Sequence, residues 1–217
     1  MGEFLNTYSS LLPQLMDGLL VTLKIFFLTL LFSLPLGIII ALGRISKLKI
    51  LQKITGLYIL VLRGTPLLLQ IIFIFFGLPS VGINLPRLPA VLLAFILNYS
   101  AYFAEIFRAG IMAIDKGQYE GAEVLGFSST QTFFKIILPQ AFKTILPPVT
   151  NEIITLVKDT SLVYVVGFDD LLKVGKIANN RMASLVPLLF VGIIYLLLVG
   201  VLTNLFAKVE NKFAYYE

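Results

Sequence analysis

The chain has 217 residues, 58% of them hydrophobic and 13% charged, with a formal net charge of +5 and a mean hydropathy of +0.95. A water-soluble domain is about half apolar and a quarter charged, so this chain cannot cover a surface facing water and reads as an integral membrane protein. Cysteine and histidine are both absent, which excludes disulfides, iron–sulfur clusters, thiol nucleophiles, Ser-His triads and nearly all metal sites of the zinc type.

Long apolar runs without closely spaced alternation predict helices rather than a membrane barrel. The expected fold is all-α: one polytopic domain over residues 1–217 with about five transmembrane helices, each needing about 20 apolar residues. The opening stretch MGEFLNTYSSLLPQLMDG holds Glu3 and Asp17 but no Lys or Arg. It lacks the basic start of a cleaved signal peptide, so the first span is expected to be retained. That span covers 18–43, with Lys24 near enough to its start to snorkel to the surface. RISKLKILQK follows, with Arg44, Lys47, Lys49 and Lys53, and reads as cytoplasmic by the positive-inside rule. The N-terminus is then outside and, after an odd number of spans, the C-terminus cytoplasmic. The second span is expected at 59–79. Arg63 within it is interfacial if the helix begins near Val61 and deeply buried if it begins near Ile54. The third, 88–111, carries Asn98 near mid-depth and an expected Glu105–Arg108 ion pair near its inner end. The fourth covers 136–157 and the fifth 184–206. The connection 158–183 between them is an exception to the charge rule, because it should be external yet holds Lys158, Lys173, Lys176 and Arg181. Basic residues this scattered read as a topology signal, not as a nucleic-acid footprint.

The connection 116–135 is polar. Gln118 to Leu125 are helix formers, Gly126 supplies a stop, and Ser128 with Gln131 forms a capping-box pattern. The expected shape is helix, glycine turn, helix across the inner face, which an ordinary amphipathic connector would share. The spacing of Glu120, Ala122, Gly126, Ile136, Leu138 and Pro139 separates the two readings. It resembles the Glu-Ala-Ala signature of the membrane subunits of ATP-binding-cassette importers, with Gly121 in place of the first alanine of that pair. RGTPLLLQ (63–70), NYSAYFAEIFRAGI (98–111), KGQYEGAEVLG (116–126), LPQAFKTILPP (138–148) and KDTSLVYVVGFDDL (158–171) extend the likeness. From about Gly18 to the end the chain resembles the permease subunits of polar amino acid uptake systems. The resemblance implies a coupling helix in which Glu120, Gly121, Ala122 and Gly126 contact a separate ATP-binding-cassette ATPase subunit carrying ATP-Mg. It also implies a second permease copy or paralogue, an extracytoplasmic amino-acid-binding protein and residence in a prokaryotic cell (inner) membrane. The residues themselves include no G-x-x-x-x-G-K-[ST] phosphate loop, so ATP hydrolysis and any cofactor are expected on another polypeptide.

Pro147 and Pro148 are expected to interrupt the fourth span near its middle, where transporters commonly build binding sites. Beyond them Glu152, Thr155 and Asp159 share one helical face. Ionisable groups within a span call for a cavity or a partner, so these three join Asn98, Thr160 and Ser161 as candidate substrate-binding residues. Asn98, Thr160 and Ser161 would hold the α-amino and α-carboxyl groups of an amino acid. Glu152 and Asp159 would attract a cationic side chain through charge-assisted hydrogen bonds. The competing account has Glu152 paired structurally with Lys143 or Lys158. At the level of function the alternative is an ion-coupled secondary amino acid carrier using Glu152 or Glu105 as a proton site. A membrane enzyme would need a nucleophile and base pair, and none stands out.

Overall fold

The computed structural model describes residues 11–213; the first ten residues of the opening stretch, with Glu3, lie outside that range. Every regular element in the described residues is helical. Helix α1, Leu11–Ile45, has 35 residues and is roughly 52 Å long, well beyond the ~30 Å of a hydrocarbon core. Its first turns therefore extend past the span. Helix α2 is Lys49–Gly64, and α3 is Leu67–Ile72, continued by a π turn at Phe73–Gly77 and a 3₁₀ turn at Leu78–Val81. The two limbs meet at 102°. The expected second span at 59–79 thus falls on a helix pair that starts at Lys49 and is bent at Thr65–Pro66.

The bend has a simple cause. Pro66 has no N–H, so the Leu62 carbonyl four residues earlier loses its helical donor. Gln70 Nε2 replaces it at 2.9 Å, and Asn98 Nδ2 adds a second bond at 2.9 Å. Thr65 Oγ1 donates to the Val61 carbonyl at 2.8 Å. Side chains thereby satisfy the backbone that the break exposes, as the interior of a membrane requires.

Helix α4 is Arg87–Met112. The short α5, Lys116–Val124, and α6, Ser129–Thr132, lead through a π turn at Phe133–Ile137 into α7, Leu138–Asp159. A 3₁₀ turn at Thr160–Val166 precedes α8, Leu171–Met182, and α9, Val186–Phe213. Helices α1, α4 and α9 are long and apolar enough to cross a membrane, and the bent α2–α3 pair makes a fourth candidate. Helix α7 has the length, at 22 residues, but Lys143, Asn151 and Glu152 make it too polar to qualify by composition. It also corrects the expected interruption, since the helix runs unbroken through Pro147 and Pro148. Proline holds φ at a helical value, so the helix can continue through the pair although two donors are lost and each ring crowds the carbonyl four residues earlier. Packing on neighbours holds the turn: Ile145 sits against Gly110 of α4, and Thr150 Oγ1 donates to the Glu210 carboxylate of α9.

The tightest packing is between α1 and α4. Thr29, Ser33, Gly37 and Ala41 recur every four residues on α1 and are all buried, a small-residue stripe that lets two helices approach closely. A Cβ on Gly37 would lie 2.8 Å from Phe103 Cβ and 3.2 Å from the Ser100 carbonyl oxygen. Phe95, Tyr99 and Phe103 of α4 fill the core with Ile25, Leu156 and Val163. Helix α8 lies along the first turns of α1, where Leu11, Leu15, Leu171, Ala178 and Val191 form a second cluster.

Candidate functional site

A cavity of about 530 Å³ opens between the α2–α3 bend, α4 and α7. Its polar lining comes from Arg63 and Thr65 at the bend, Asn98, Tyr99 and Tyr102 on α4, and Glu152, Thr155 and Asp159 on α7. Glu152, Thr155 and Asp159 fall on one helical face, as the spacing predicted, and all three reach the cavity. Asp159 accepts a hydrogen bond from Tyr99 OH at 2.7 Å, and Thr155 Oγ1 donates to the Asn151 carbonyl at 3.0 Å. Glu152 enters no ion pair among the described residues, so the pairing with Lys143 or Lys158 is not formed.

The remaining predicted residues fare differently. Asn98 lines the cavity, but its Nδ2 is committed to the bend, donating to the Leu62 carbonyl and, at 3.1 Å, to Gln70 Oε1. Thr160 is fully buried and donates to the Val157 carbonyl at 2.6 Å. Neither Thr160 nor Ser161 is among the lining residues. In their place stands Arg63, at the end of α2, its guanidinium 5.1 Å from the centroid of the Tyr102 ring. The sequence held the clue: Pro66 breaks the helix three residues after Arg63, and a helix end beside an open bend turns its last side chains into the space. Gln70, one turn beyond Pro66 and the natural donor to the orphaned carbonyl, was also missed. Towards the end of α4, Arg108 Nε donates to Glu105 Oε2 at 2.8 Å, the ion pair expected there.

The polar connection is built as the sequence indicated. Asp115 caps α5, its Oδ1 accepting from Gly117 N at 2.7 Å. The helix ends in a Schellman pair, Phe127 N to the Ala122 carbonyl at 3.0 Å and Gly126 N to the Glu123 carbonyl at 2.9 Å. Gly126 adopts φ +77°, a left-handed conformation natural to glycine. Ser128 and Gln131 form the reciprocal capping box. Ala122 is buried, while Val124 and Leu125 are 88% and 75% exposed. Glu120 and Gly121 are exposed as well, and a Cβ at Gly121 would meet nothing within 4 Å. The loop thus presents an ordered, partly apolar tip.

Residues 33–214 match the family model of the binding-protein-dependent transport system inner membrane component. The chain belongs to this family. It is 40% identical over 210 residues to the arginine transport system permease protein ArtQ of Bacillus subtilis, covering 94% of this chain and 96% of that one. It is 35% identical over 214 residues to the putative glutamine transport system permease protein GlnP of Rickettsia bellii, covering 98% of each. Among solved structures, a crystal structure of an amino acid ABC transporter with histidines aligns with a TM-score of 0.89 at 36% identity, over 94% of this chain and 96% of that one. An inward-facing structure of the MetNI methionine ABC transporter has a TM-score of 0.69 at 18% identity, over 94% and 95%, a likeness of fold alone. As a member of the inner membrane component family, the chain is a multi-pass transport component, and its helices supply the apolar spans that role demands.

Proposed function

We propose that this chain is the permease subunit of an ATP-driven importer and that the cavity carries an amino acid with a cationic side chain. The charge pattern of the lining is the observation that carries the reading. One guanidinium, Arg63, and two carboxylates, Glu152 and Asp159, face one space. An amino acid such as arginine offers the complement: one carboxylate and two cations. Arg63 is suited to the α-carboxylate by bidentate hydrogen bonding, and the acids on α7 to the two cations by charge-assisted bonds. A volume of about 530 Å³ falls within the usual ~300–1,000 Å³ of small-molecule sites.

Helix α7 links the two regions. It starts directly after the α5–α6 connection, and Glu152 stands about 14 residues, or ~21 Å, along it. In the proposed cycle the tip formed by Glu120, Gly121, Ala122 and Gly126 rests on a separate ATPase subunit, which holds ATP-Mg. Rigid-body movement of that subunit then rocks α7 and alternates access to the cavity. A second permease copy or paralogue completes the pathway, and a binding protein delivers the substrate. The single transmembrane domain, residues 1–217, crosses the membrane five times, with α7 as the polar crossing. The N-terminus lies outside and the C-terminus in the cytoplasm, in keeping with Arg44, Lys47, Lys49 and Lys53 at the α5 end of the bundle.

The test is uptake of labelled arginine and glutamine by the reconstituted transporter carrying Glu152→Gln. Loss of one charge-assisted bond predicts a half-saturating arginine concentration about ten- to thirtyfold higher, with glutamine much less affected. Equal effects on both tracers, or none on either, would remove Glu152 from side-chain recognition.

A further inference from the structure

Helix α2 has three distinct sides. Ile59 packs with Ile40, Ala41, Ala101 and Ala104 against α1 and α4, and Tyr58 OH donates to the Leu97 carbonyl at 2.7 Å. Ile50, Ile54 and Leu57 are exposed and form an apolar side suited to lipid. Between these two sides, Lys49, Lys53, Gly56, Leu60 and Arg63 recur at helical spacing along one flank. Helix α2 contains no acidic residue, and Lys49, Lys53 and Arg63 are all exposed.

A fourth cation joins this flank from α1. A Cβ at Gly43 would lie 2.8 Å from Thr55 Cγ2, so the end of α1 closes on α2 and brings Arg44 against it. A Cβ at Gly56 would stand 3.4 Å from Arg44 Nε and 3.5 Å from its Cζ. The bare backbone at Gly56 thus makes a seat for the guanidinium. Arg44 is half-buried and enters no ion pair among the described residues. Cations therefore run from Lys49 at the α5 end to Arg63 in the cavity, a distance of ~21 Å along α2, with Arg44 roughly midway.

The facing flank belongs to α4. Tyr102 lines the cavity, and Glu105, three residues on, continues that side towards Met112. Arg63 and Arg44 both act electrostatically on Glu105, so the three border one region between the cavity and the inner end. Glu105 does not offset the two cations, because Arg108 already holds it through two hydrogen bonds. The other acids of this end have separate places: Asp115 caps α5, Glu210 accepts from Thr150, and Glu120 and Glu123 stand exposed on the α5 connection. The region is cationic on balance.

An amino acid leaving Arg63 for the cytoplasm takes an ionised carboxylate through surroundings where an unpaired charge is costly. Passage is fast when successive sites bind it, each weakly enough to let go. We propose that Arg44, seated on Gly56, is a second, inner station for the substrate's α-carboxylate, reached when the cavity opens to the cytoplasm. It offers the same bidentate fork as Arg63, ~10 Å further along α2, and Lys53 and Lys49 continue the route to water. The proposal rests on the importer reading but not on a cationic side chain, since every amino acid carries this carboxylate.

The experiment uses the complete transporter, with its ATPase subunits and binding protein, in vesicles of phosphatidylcholine and phosphatidylethanolamine, with and without phosphatidylglycerol. Uptake of labelled arginine and glutamine is followed against concentration for wild type, Arg44→Gln and Arg44→Lys. Arg44→Gln is expected to lower maximal uptake of both about three- to tenfold, with the half-saturating concentration within about twofold of wild type, because the outer station is intact. Arg44→Lys keeps the charge without the fork and is expected to recover much of the rate. Unchanged maximal uptake in Arg44→Gln overturns the proposal, as does a loss for arginine alone. Equal losses in the Gln and Lys variants overturn it too, making Arg44 a structural prop. A loss confined to vesicles with phosphatidylglycerol would make Arg44 a lipid-headgroup contact, with the same consequence. Should Arg44→Gln fail to assemble, Gly56→Leu, which fills the seat, decides by the same split between rate and half-saturation. A wild type that moves neither amino acid fails the importer reading itself and takes this proposal with it.

Discussion

Alanine placed at two glycines should act in opposite directions. At Gly37 of α1 the new Cβ would stand 2.8 Å from Phe103 Cβ and 3.2 Å from the Ser100 carbonyl oxygen. Carbon atoms in contact prefer about 3.5–4.0 Å, so the helices must part by roughly 1 Å. Neither neighbour can rotate away, since one is a Cβ and the other is backbone. Overpacking of this kind costs about 1–3 kcal/mol, offset by up to ~1 kcal/mol of better helix propensity. Gly37→Ala is therefore expected to destabilise by about 1–2 kcal/mol. At Gly192 of α9 a Cβ meets nothing within 4 Å, so only the propensity gain remains and Gly192→Ala should stabilise by about 0.5–1 kcal/mol. Equilibrium unfolding of the chain in mixed detergent–SDS micelles, followed by circular dichroism, compares them directly. Two variants that shift stability in the same direction and by the same amount would refute the close α1–α4 packing.

Gln70→Ala and Asn98→Ala should each cost about 1–2 kcal/mol in the same unfolding assay, because each removes a donor from the Leu62 carbonyl that Pro66 leaves unpaired; no loss in either would undo the account of the bend. Gly126→Ala forces a residue with a Cβ to hold φ +77°, so it should destabilise the α5 terminus by about 1–2 kcal/mol. Its signature would be faster hydrogen exchange at Phe127 N–H, and exchange at the wild-type rate would contradict it. Asp170, outside the spans, has its carboxyl raised by burial from 3.8 to about 6. The folded chain keeps this proton where the unfolded chain has lost it, so this group's contribution to stability falls as pH rises from about 3.8 to about 6 and is flat above. Asp170→Asn should remove that part of the pH slope, and an unaltered slope would rule it out.

The sequence was most readable where local chemistry decides the outcome. Ser128, Gln131 and Gly126 specify their caps within a few residues, and the structure forms them as read. The face shared by Glu152, Thr155 and Asp159 follows from helical geometry alone and survives intact. Tertiary contacts decided the rest. Two prolines locally favour a break, but α7 is held by Gly110 on one side and Glu210 on the other. The single Pro66 does break its helix, because Gln70 and Asn98 are placed to satisfy what it exposes. No local rule separates the two cases without knowing which neighbours approach. Asn98 illustrates the same limit: a polar residue at mid-depth signals a use, but its amide nitrogen faces a carbonyl 36 residues earlier in the chain. Arg63 reached the cavity only because the bend turned it there.

On the proposed function, this chain moves an amino acid only when an attached ATPase drives it through the α5 tip. The most direct measurement is uptake of labelled arginine into proteoliposomes holding the permease, its ATPase subunits and, on the outside, the binding protein, with and without ATP. Wild type and Glu120→Ala are compared side by side. Uptake is expected to require ATP and to collapse in the variant while the subunits still assemble. Uptake that proceeds without ATP and ignores the substitution, as an ion-coupled carrier would give, would contradict it.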